Sequence, residues 1–477
     1  LGVYRKALLD AIGGFRVGYE GPQDYDLAAR VVERLEAKQI IHIPRVLYHW
    51  RISAGSTAAG VSEKPYARVA ALKAINEHLG RLSIPARVET DPNKGSVQQV
   101  FFDESGKSPL VSILIPTRNS ADLVRTCVES IVKKTSYAPY EIILIDNGSD
   151  EEASLSYFQD LAHQGTVRLL RDERPFNYSR LNNQAVEAAK GEVVVLLNND
   201  TEVIAPLWLQ NMVQLALLPE VGAVGAKLLY GNGSIQHAGV LLGIAGGAAH
   251  AYMEFPGDAV GYCNLALLLR GYSALTGACL AVRKSLYLEV TGLDEQHLPV
   301  GYNDVDFCLK LRSRGYRNVW TPQALLYHHE SLSRGMEDTP EKKARFWNEL
   351  SLLKKRWPNA WYHDPAYNPK LTFSKVDYDR SMQPRLALNS RHWPKPFAPS
   401  YVAPQGFGLR LLLVLDQAHQ ESARMLCFAR DLLAQGLISS YAAAHDSGFF
   451  EVSPEACGWF DVICLQGAAL KCRWFER

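Results

Sequence analysis

A chain of 477 residues, 47% hydrophobic and 21% charged, has the make-up of an ordinary globular protein, and its length suggests about three domains of ~150 residues. A formal net charge of +1 argues against a dedicated nucleic-acid binder, which needs a basic excess on one face. No run of about 18 apolar residues is present, so no spanning helix is expected; the longest candidate, 238–253, is rich in glycine and contains His250.

Along the chain, one segment occurs twice, about 280 residues apart. Arg5-Lys6, Gly14-Phe15, Asp24-Tyr25-Asp26 and Leu47-Tyr48-His49 come first. Arg283-Lys284, Gly292-Leu293, Asp304-Val305-Asp306 and Leu326-Tyr327-His328 repeat them in order. Only the second copy follows a long stretch of alternating strand and helix pattern. With no initiator Met and no leader at Leu1, the chain is expected to begin inside a domain. The expected division is 1–57, the C-terminal half of a truncated first unit; 58–107, a helix and linker; 108–338, a complete unit; 339–408, a helical extension and linker; and 409–477, the start of another α/β domain.

Within this division, 66–82 has helical periodicity, and the polar 83–108 contains one short strand at 97–102. The run LVSILIPT (110–117) suits a strand buried on both faces. A helix at 121–134, strands at 141–146 and 167–171, a helix at 179–189 stopped by Gly191, and a strand at 192–197 follow. Strands alternating with helices predict a mostly parallel sheet, with ligands outside the carboxyl ends of its strands. One more helix is expected over 340–357, then an irregular stretch, a buried strand at 411–416, a helix at 421–435 and a strand at 460–465. Cys127, Cys263, Cys279, Cys308 and Cys464 sit in apolar or periodic surroundings and are expected to be buried free thiols.

Asp146 and Asp200 each end a predicted buried strand. There they can hold a ribose or a divalent cation on a diphosphate, or simply start turns. Asp304 and Asp306 open a predicted helix, either as caps that complement its dipole or with one of them as a general base. His328 and His329 follow a short strand and could supply a metal ligand or lie packed at the surface.

These residues lie in stretches that resemble family 2 glycosyltransferases of the GT-A fold, an α/β Rossmann-like architecture, and most of all the tandem bacterial enzymes of O-antigen and capsule biosynthesis. The stretches are PTRN (116–119), LIDNGSD (144–150), NNQAVEAAKGE (182–192), LLNNDTEV (196–203), VGAVGAKLLY (221–230), SIQHAGV (234–240), TGACLAVRKS (276–285) and NDVDFCLKLRSRGY (303–316). The resemblance implies that Pro116, Thr117, Asn119 and Asp146 line the base and ribose pocket and that Asn183 lies near the diphosphate. Asn198-Asn199-Asp200 takes the place of the family's D-x-D motif, with Asn198 where the first acid usually stands. Asp200 then holds a divalent metal, Mn or Mg, together with His329 or His328. Asp304 matches the catalytic base, with Asn303 and Asp306 on the acceptor side. In the partial first copy, Asp24 and His49 take the places of Asp304 and the later histidines.

The implied activity is transfer of a sugar, with inversion, from a nucleotide-sugar to a glycan or lipid-linked acceptor, in the cytoplasm or at the inner face of the membrane. The basic and aromatic helix at 341–357 could rest on that membrane or pack on the transferase domain. The alternative is a non-catalytic module that binds nucleotide or glycan, which the loss of the first motif acid favours. A pyrophosphorylase is set aside, because Pro116-Thr117-Arg118-Asn119 is not a glycine-rich basic loop.

Overall fold

The computed structural model describes residues 2–41, 65–90, 98–102, 108–329, 339–362, 364–376, 378–379, 409–415, 438–445 and 462–465. The chain forms two compact units, Leu1–Pro384 and Arg385–Arg477.

The first unit opens with three helices, α1 (Lys6–Ile12), α2 (Gln23–Val32) and α3 (Pro65–Arg81). An antiparallel pair follows, β1 (Ala86–Thr90) and β2 (Gln98–Phe102). The Asn76 side chain on α3 bonds both the N–H and the carbonyl of Val88, so α3 and β1 are locked together.

The core is a ten-stranded mixed sheet. Its elements in chain order are β3 (Val111–Thr117), α4 (Ala121–Lys134), β4 (Tyr140–Asp146), α5 (Glu152–His163), β5 (Arg168–Arg171), α6 (Tyr178–Ala188), β6 (Val193–Leu197), β7 (Thr201–Val203), α7 (Trp208–Ala216), β8 (Val221–Leu229) and β9 (Ile235–His237). There follow β10 (Val240–Leu242), β11 (Ala248–His250), β12 (Arg270–Tyr272), β13 (Cys279–Arg283), α8 (Lys284–Glu289), α9 (Asn303–Ser313), β14 (Arg317–His328), α10 (Pro340–Arg356) and α11 (Pro358–Tyr362). The main strand order is β12-β14-β8-β13-β6-β3-β4-β5; β10 and β11 form a separate pair.

β6, β3, β4 and β5 run parallel. β13 runs against both β6 and β8. An apolar run reports burial on two faces but not direction, so this reversal is invisible in the sequence. Every residue of β3, β6 and β8 is buried. Helices cover both faces. Leu181 of α6, Phe307 of α9 and Leu350 and Leu353 of α10 belong to one core layer. Val128 of α4, Phe158 of α5 and Trp208 of α7 belong to the other. Cys127, Cys279 and Cys308 are buried, but Cys263 is exposed, because it lies in a short turn outside both layers. The parallel half places the ends of β3, β4 and β6 along one edge of the sheet, where polar residues cluster.

The repeat recurs as structure. α1 and α8 each follow an arginine in extended conformation, Arg5 and Arg283. α2 and α9 each carry two acids in the first turn. α3 and α10 are each 17 residues long, begin with proline and end with arginine. The segment after α10 also belongs to the core: Asp364 accepts from Leu242 N at 2.8 Å and from Ser273 Oγ at 2.6 Å.

In the second unit, β15 (Leu409–Leu415) lies between β16 (Ile438–His445) and β17 (Val462–Leu465), and all three are parallel. The expected helix at 421–435 falls outside the described residues.

Candidate active site

Thr117 and Asp146 end neighbouring parallel strands in direct register. Asp146 is 1% exposed. Its Oδ1 accepts from Ser149 N at 2.9 Å, which closes the turn, and its Oδ2 accepts from Arg171 Nη1 at 2.5 Å. Arg171 ends β5 directly opposite Asp146, and sequence reasoning missed it. Its signal was present: it closes the predicted strand next to the one that Asp146 closes. Asn119 adopts φ 53°. From there its Oδ1 accepts from Asp150 N at 3.0 Å and Glu151 N at 3.2 Å, which ties the β3 loop to the β4 loop just before α5. Pro116 is buried within β3. Thr117 Oγ1 accepts from Asn199 Nδ2 at 2.9 Å, so the β3 and β6 ends are joined.

Beyond Asn199, the chain buries Asp200, at 4% exposed, against His328, at 6%. His328 Nε2 lies 3.1 Å from Asp200 Oδ1 and 3.2 Å from Asn198 Nδ2. The first contact is not aligned as a hydrogen bond, and Asp200 Oδ1 is a buried oxygen without one. Burial alone would raise the Asp200 pKa. His328 beside it, its own backbone N–H and His329 outweigh burial, and the pKa is lowered, so Asp200 is ionised at neutral pH. β14 pairs with β7 so that His328 stands opposite Thr201. His329, one residue on, turns to Glu202 at 3.4 Å. Of the two histidines, His328 is therefore the partner of Asp200.

Asp304 is the second residue of α9. Its Oδ2 accepts from Gly277 N at 2.8 Å and its Oδ1 from Val305 N at 2.8 Å. Desolvation raises its pKa above the ordinary 3.8, against the pull of those N–H groups. The Gly277 carbonyl accepts from the Tyr178 hydroxyl at 3.0 Å, and the same hydroxyl lies 3.3 Å from Asn198 Oδ1. One polar line thus runs from Asp304 through the Gly277 peptide, Tyr178, Asn198 and His328 to Asp200. A Cβ on Gly277 would lie 3.3 Å from the Tyr178 hydroxyl and 3.5 Å from the Asp304 Cβ, so glycine keeps the line short. The adjoining Thr276 N donates to Nε2 of the buried His237, whose Nδ1 donates to Ala226 O at 2.9 Å. Burial lowers the His237 pKa far enough to keep it neutral, which suits that acceptor role.

Residues 112–271 match the family model described as glycosyl transferase family 2. The chain carries a domain of that family. It is 48% identical over 395 residues to the uncharacterized protein y4gI of Sinorhizobium fredii, across 82% of this chain and 43% of that one. It is 36% identical over 380 residues to the O-antigen biosynthesis protein RfbC of Myxococcus xanthus, across 79% of this chain and 29% of that one. It therefore spans less than half the length of either relative. Among solved structures it is similar to the mannosyltransferase PcManGT from Pyrobaculum calidifontis, in complex with GDP-Man and Mn2+, at 19% identity and a TM-score of 0.40, over 64% of this chain and 76% of that one.

Several of the candidate residues lie apart from the line between Asp304 and Asp200. Asp306, expected on the acceptor side, turns inward. It is fully buried, accepts from Arg356 Nη1 at 2.9 Å and Trp357 Nε1 at 2.8 Å, and pairs with Lys310 at 3.3 Å. Two residues along a helix turn about 200°, so Asp304 and Asp306 must face opposite ways. Asn303 is also internal and donates to Ser179 Oγ at 3.0 Å. Asn183 does not reach the Asp200 side. It accepts from the Tyr287 hydroxyl at 2.6 Å and from Leu293 N at 3.0 Å, and it lines a separate cleft of about 790 Å³ with Asp294 and Trp357. Asn183 is five residues beyond Tyr178 on α6, about 140° around the helix. In the first copy, Asp24 is exposed and bonds only the neighbouring Tyr25 N among the contacts described, at 2.9 Å, while Asp26 is buried between Arg16 and Arg30. His49 lies outside the described residues.

Proposed function

We propose that this chain transfers a sugar from a nucleotide-sugar to a glycan or lipid-linked glycan acceptor, with inversion at the anomeric carbon, in assembly of a bacterial surface polysaccharide. The observation that carries the reading is the polar line from Asp304 to Asp200. It joins a carboxylate of raised pKa to an ionised acid beside an imidazole, two groups suited to the two ends of a displacement.

The nucleoside end of the donor lies along Pro116, Thr117, Asn119 and Asp146, with Arg171 balancing the charge of Asp146. Asn198 and Asn199 hold the turn that presents Asp200. The acceptor hydroxyl attacks the anomeric carbon as Asp304 removes its proton. The new glycosidic bond forms, the bond from that carbon to the phosphate oxygen breaks, and the nucleoside diphosphate leaves with the electron pair. The raised pKa makes Asp304 a better proton acceptor than an ordinary carboxylate. No covalent enzyme intermediate is needed, so one carboxylate base suffices.

Asp200 and His328 fit a divalent cation, Mn or Mg. Asp200 Oδ1 is buried without a hydrogen bond and faces His328 Nε2. Among the described residues no cluster of three His, Cys, Asp or Glu side chains is suited to a metal. That agrees with ions that take one or two protein ligands and complete their shell with phosphate oxygens and water. When bound, such an ion offsets the charge of the departing diphosphate.

Among the described residues, no helix is long and apolar enough to cross a membrane. We place the reaction at the cytoplasmic side of the inner membrane, with the exposed Lys343, Trp347 and Lys355 of α10 toward the lipid-linked acceptor.

The test uses the full chain with Mn2+ or Mg2+ and a panel of UDP-, GDP- and dTDP-sugars, alongside Asp304→Asn. Metal-dependent release of nucleoside diphosphate that disappears in the variant is expected. Saturable donor binding without release, alike in both proteins with acceptor lipids present, would replace this reading with the binding-module one.

A further inference from the structure

α10 holds the segment that bears Asp304 on both sides. On the near side, Glu349 is 3% exposed and accepts from Gly301 N at 2.9 Å and Val300 N at 3.3 Å, one through each carboxylate oxygen. A Cβ on Gly301 would lie 2.6 Å from Glu349 Oε2, so glycine is what lets the carboxylate come this close. The next residue, Tyr302, adopts φ 56°, and its ring centre lies 5.2 Å from that of Phe346, also on α10. On the far side, Arg356 and the adjoining Trp357 hold Asp306.

Tyr302, the residue before α9, gives that helix no side-chain cap. Glu349, from another helix, accepts from the two peptide N–H groups that lead into Tyr302, and so fixes the chain as it enters α9. The peptides it fixes come immediately before Tyr302, Asn303 and Asp304. Their conformation sets where the Asp304 carboxylate points. An aim error of about 1 Å at a reacting group can cost on the order of 100-fold in rate.

We propose that Glu349 is a positioning residue for Asp304, and that the catalytic unit of this transferase therefore extends through α10, well past the segment 112–271 matched to the family. The proposal rests on the reading of Asp304 as the base. Thr117, Asp146 and Asp200 stand on other elements, so loosening the 300–302 loop alters proton removal and leaves donor binding intact.

The experiment measures release of nucleoside diphosphate by the full chain from UDP-glucose, GDP-mannose and dTDP-rhamnose with MnCl2, across pH. Release by the wild type and its loss in Asp304→Asn test the underlying reading without reference to Glu349. Glu349→Ala is then expected to lower kcat at least tenfold with the donor KM within twofold, and to move the acidic limb of the pH profile downward as water reaches Asp304. Glu349→Gln keeps an oxygen for the shorter Gly301 bond and is expected to hold kcat within threefold of wild type. An unchanged kcat in Glu349→Ala, or a loss of kcat matched by an equal loss of donor binding, overturns the proposal. Should Glu349→Ala fail to fold, Phe346→Leu decides. A threefold or larger fall in kcat at constant KM sustains the proposal, and an unchanged kcat overturns it.

Discussion

Arg16 and Asp294 stand two residues after Gly14 and Gly292, at the same place in the two repeats, with opposite charges. Arg16 pairs with Asp26 of α2 and, at 2.9 Å, with Glu77 of α3. Asp294 pairs at 2.7 Å with Arg356 of α10, which also holds Asp306 of α9. Each node therefore joins an acid on the second helix, a loop residue and a residue of the following helix. In the first copy the bridging arginine is on the loop; in the second it is on the following helix. The bridging charge has thus exchanged places between the loop and the following helix.

The exchange predicts a compensating pair. Arg16→Asp alone gathers three acids and should destabilise α2 and α3, while Arg16→Asp with Glu77→Arg rebuilds the node in its second-copy form. A double-mutant cycle read by urea unfolding and by hydrogen exchange of α2 and α3 should show favourable coupling of about 1 kcal/mol, modest because both groups are partly exposed. Additive effects would sink the idea.

A second prediction separates the adjacent histidines. His328→Ala should raise the Mn2+ concentration needed for half-maximal activity at least tenfold, because it removes the nitrogen that faces Asp200. His329→Ala should change it less than twofold, since that ring meets Glu202. Titration of activity against Mn2+ distinguishes them, and the reverse order would refute the assignment.

Why the sequence could not choose between these histidines is plain from the structure. The choice depends on the pairing of β14 with β7, a register between segments more than 120 residues apart. One residue of slip would exchange the two side chains. The buried strands were legible because 193–197 is apolar throughout and 111–117 is apolar but for Ser112 and Thr117, as burial on both faces favours. Asp200 and Asp304 were legible through motif stretches. The separation of Asp306 from Asp304 was legible too, because helical geometry alone sets the two on opposite sides. Tyr178 and Glu349 lie outside every motif stretch, and Gly277 and His237 lie inside two of them without any sign of their partners. Tyr178 and Gly277 meet across 99 residues, and Gly301 and Glu349 across 48, so only the folded chain shows what they do.

Asp306 should prove a stability residue. It is fully buried among Arg356, Trp357 and Lys310. Asp306→Ala takes from Lys310 its acid and leaves Arg356 only Asp294, and should cost about 3 kcal/mol, the usual scale for breaking a buried pair from one side. Urea unfolding measures this, with the donor KM of the remaining folded protein expected to match wild type. A loss under about 1 kcal/mol would show that the node contributes little.

Asp304 should show the opposite balance, with activity held at the expense of stability. Desolvation raises its pKa in the folded chain. A carboxylate whose folded pKa lies above its unfolded one contributes stability that is fully present below the unfolded value and lost as pH rises through the folded value. Wild type therefore loses this contribution on the way from acid to neutral pH, and Asp304→Asn, which cannot ionise, does not. The stability of the variant relative to wild type should increase with pH, read from urea midpoints between about pH 4 and pH 8. Activity follows the same ionisation in the other direction. On the proposed reading Asp304 works as a base only when deprotonated, so kcat of the wild type should fall on acidification with a limb displaced upward from that of an ordinary aspartate. A relative stability that stays flat with pH, together with a limb at the usual carboxylate value, would show that Asp304 is solvated like a surface acid and is not the poised base of this site.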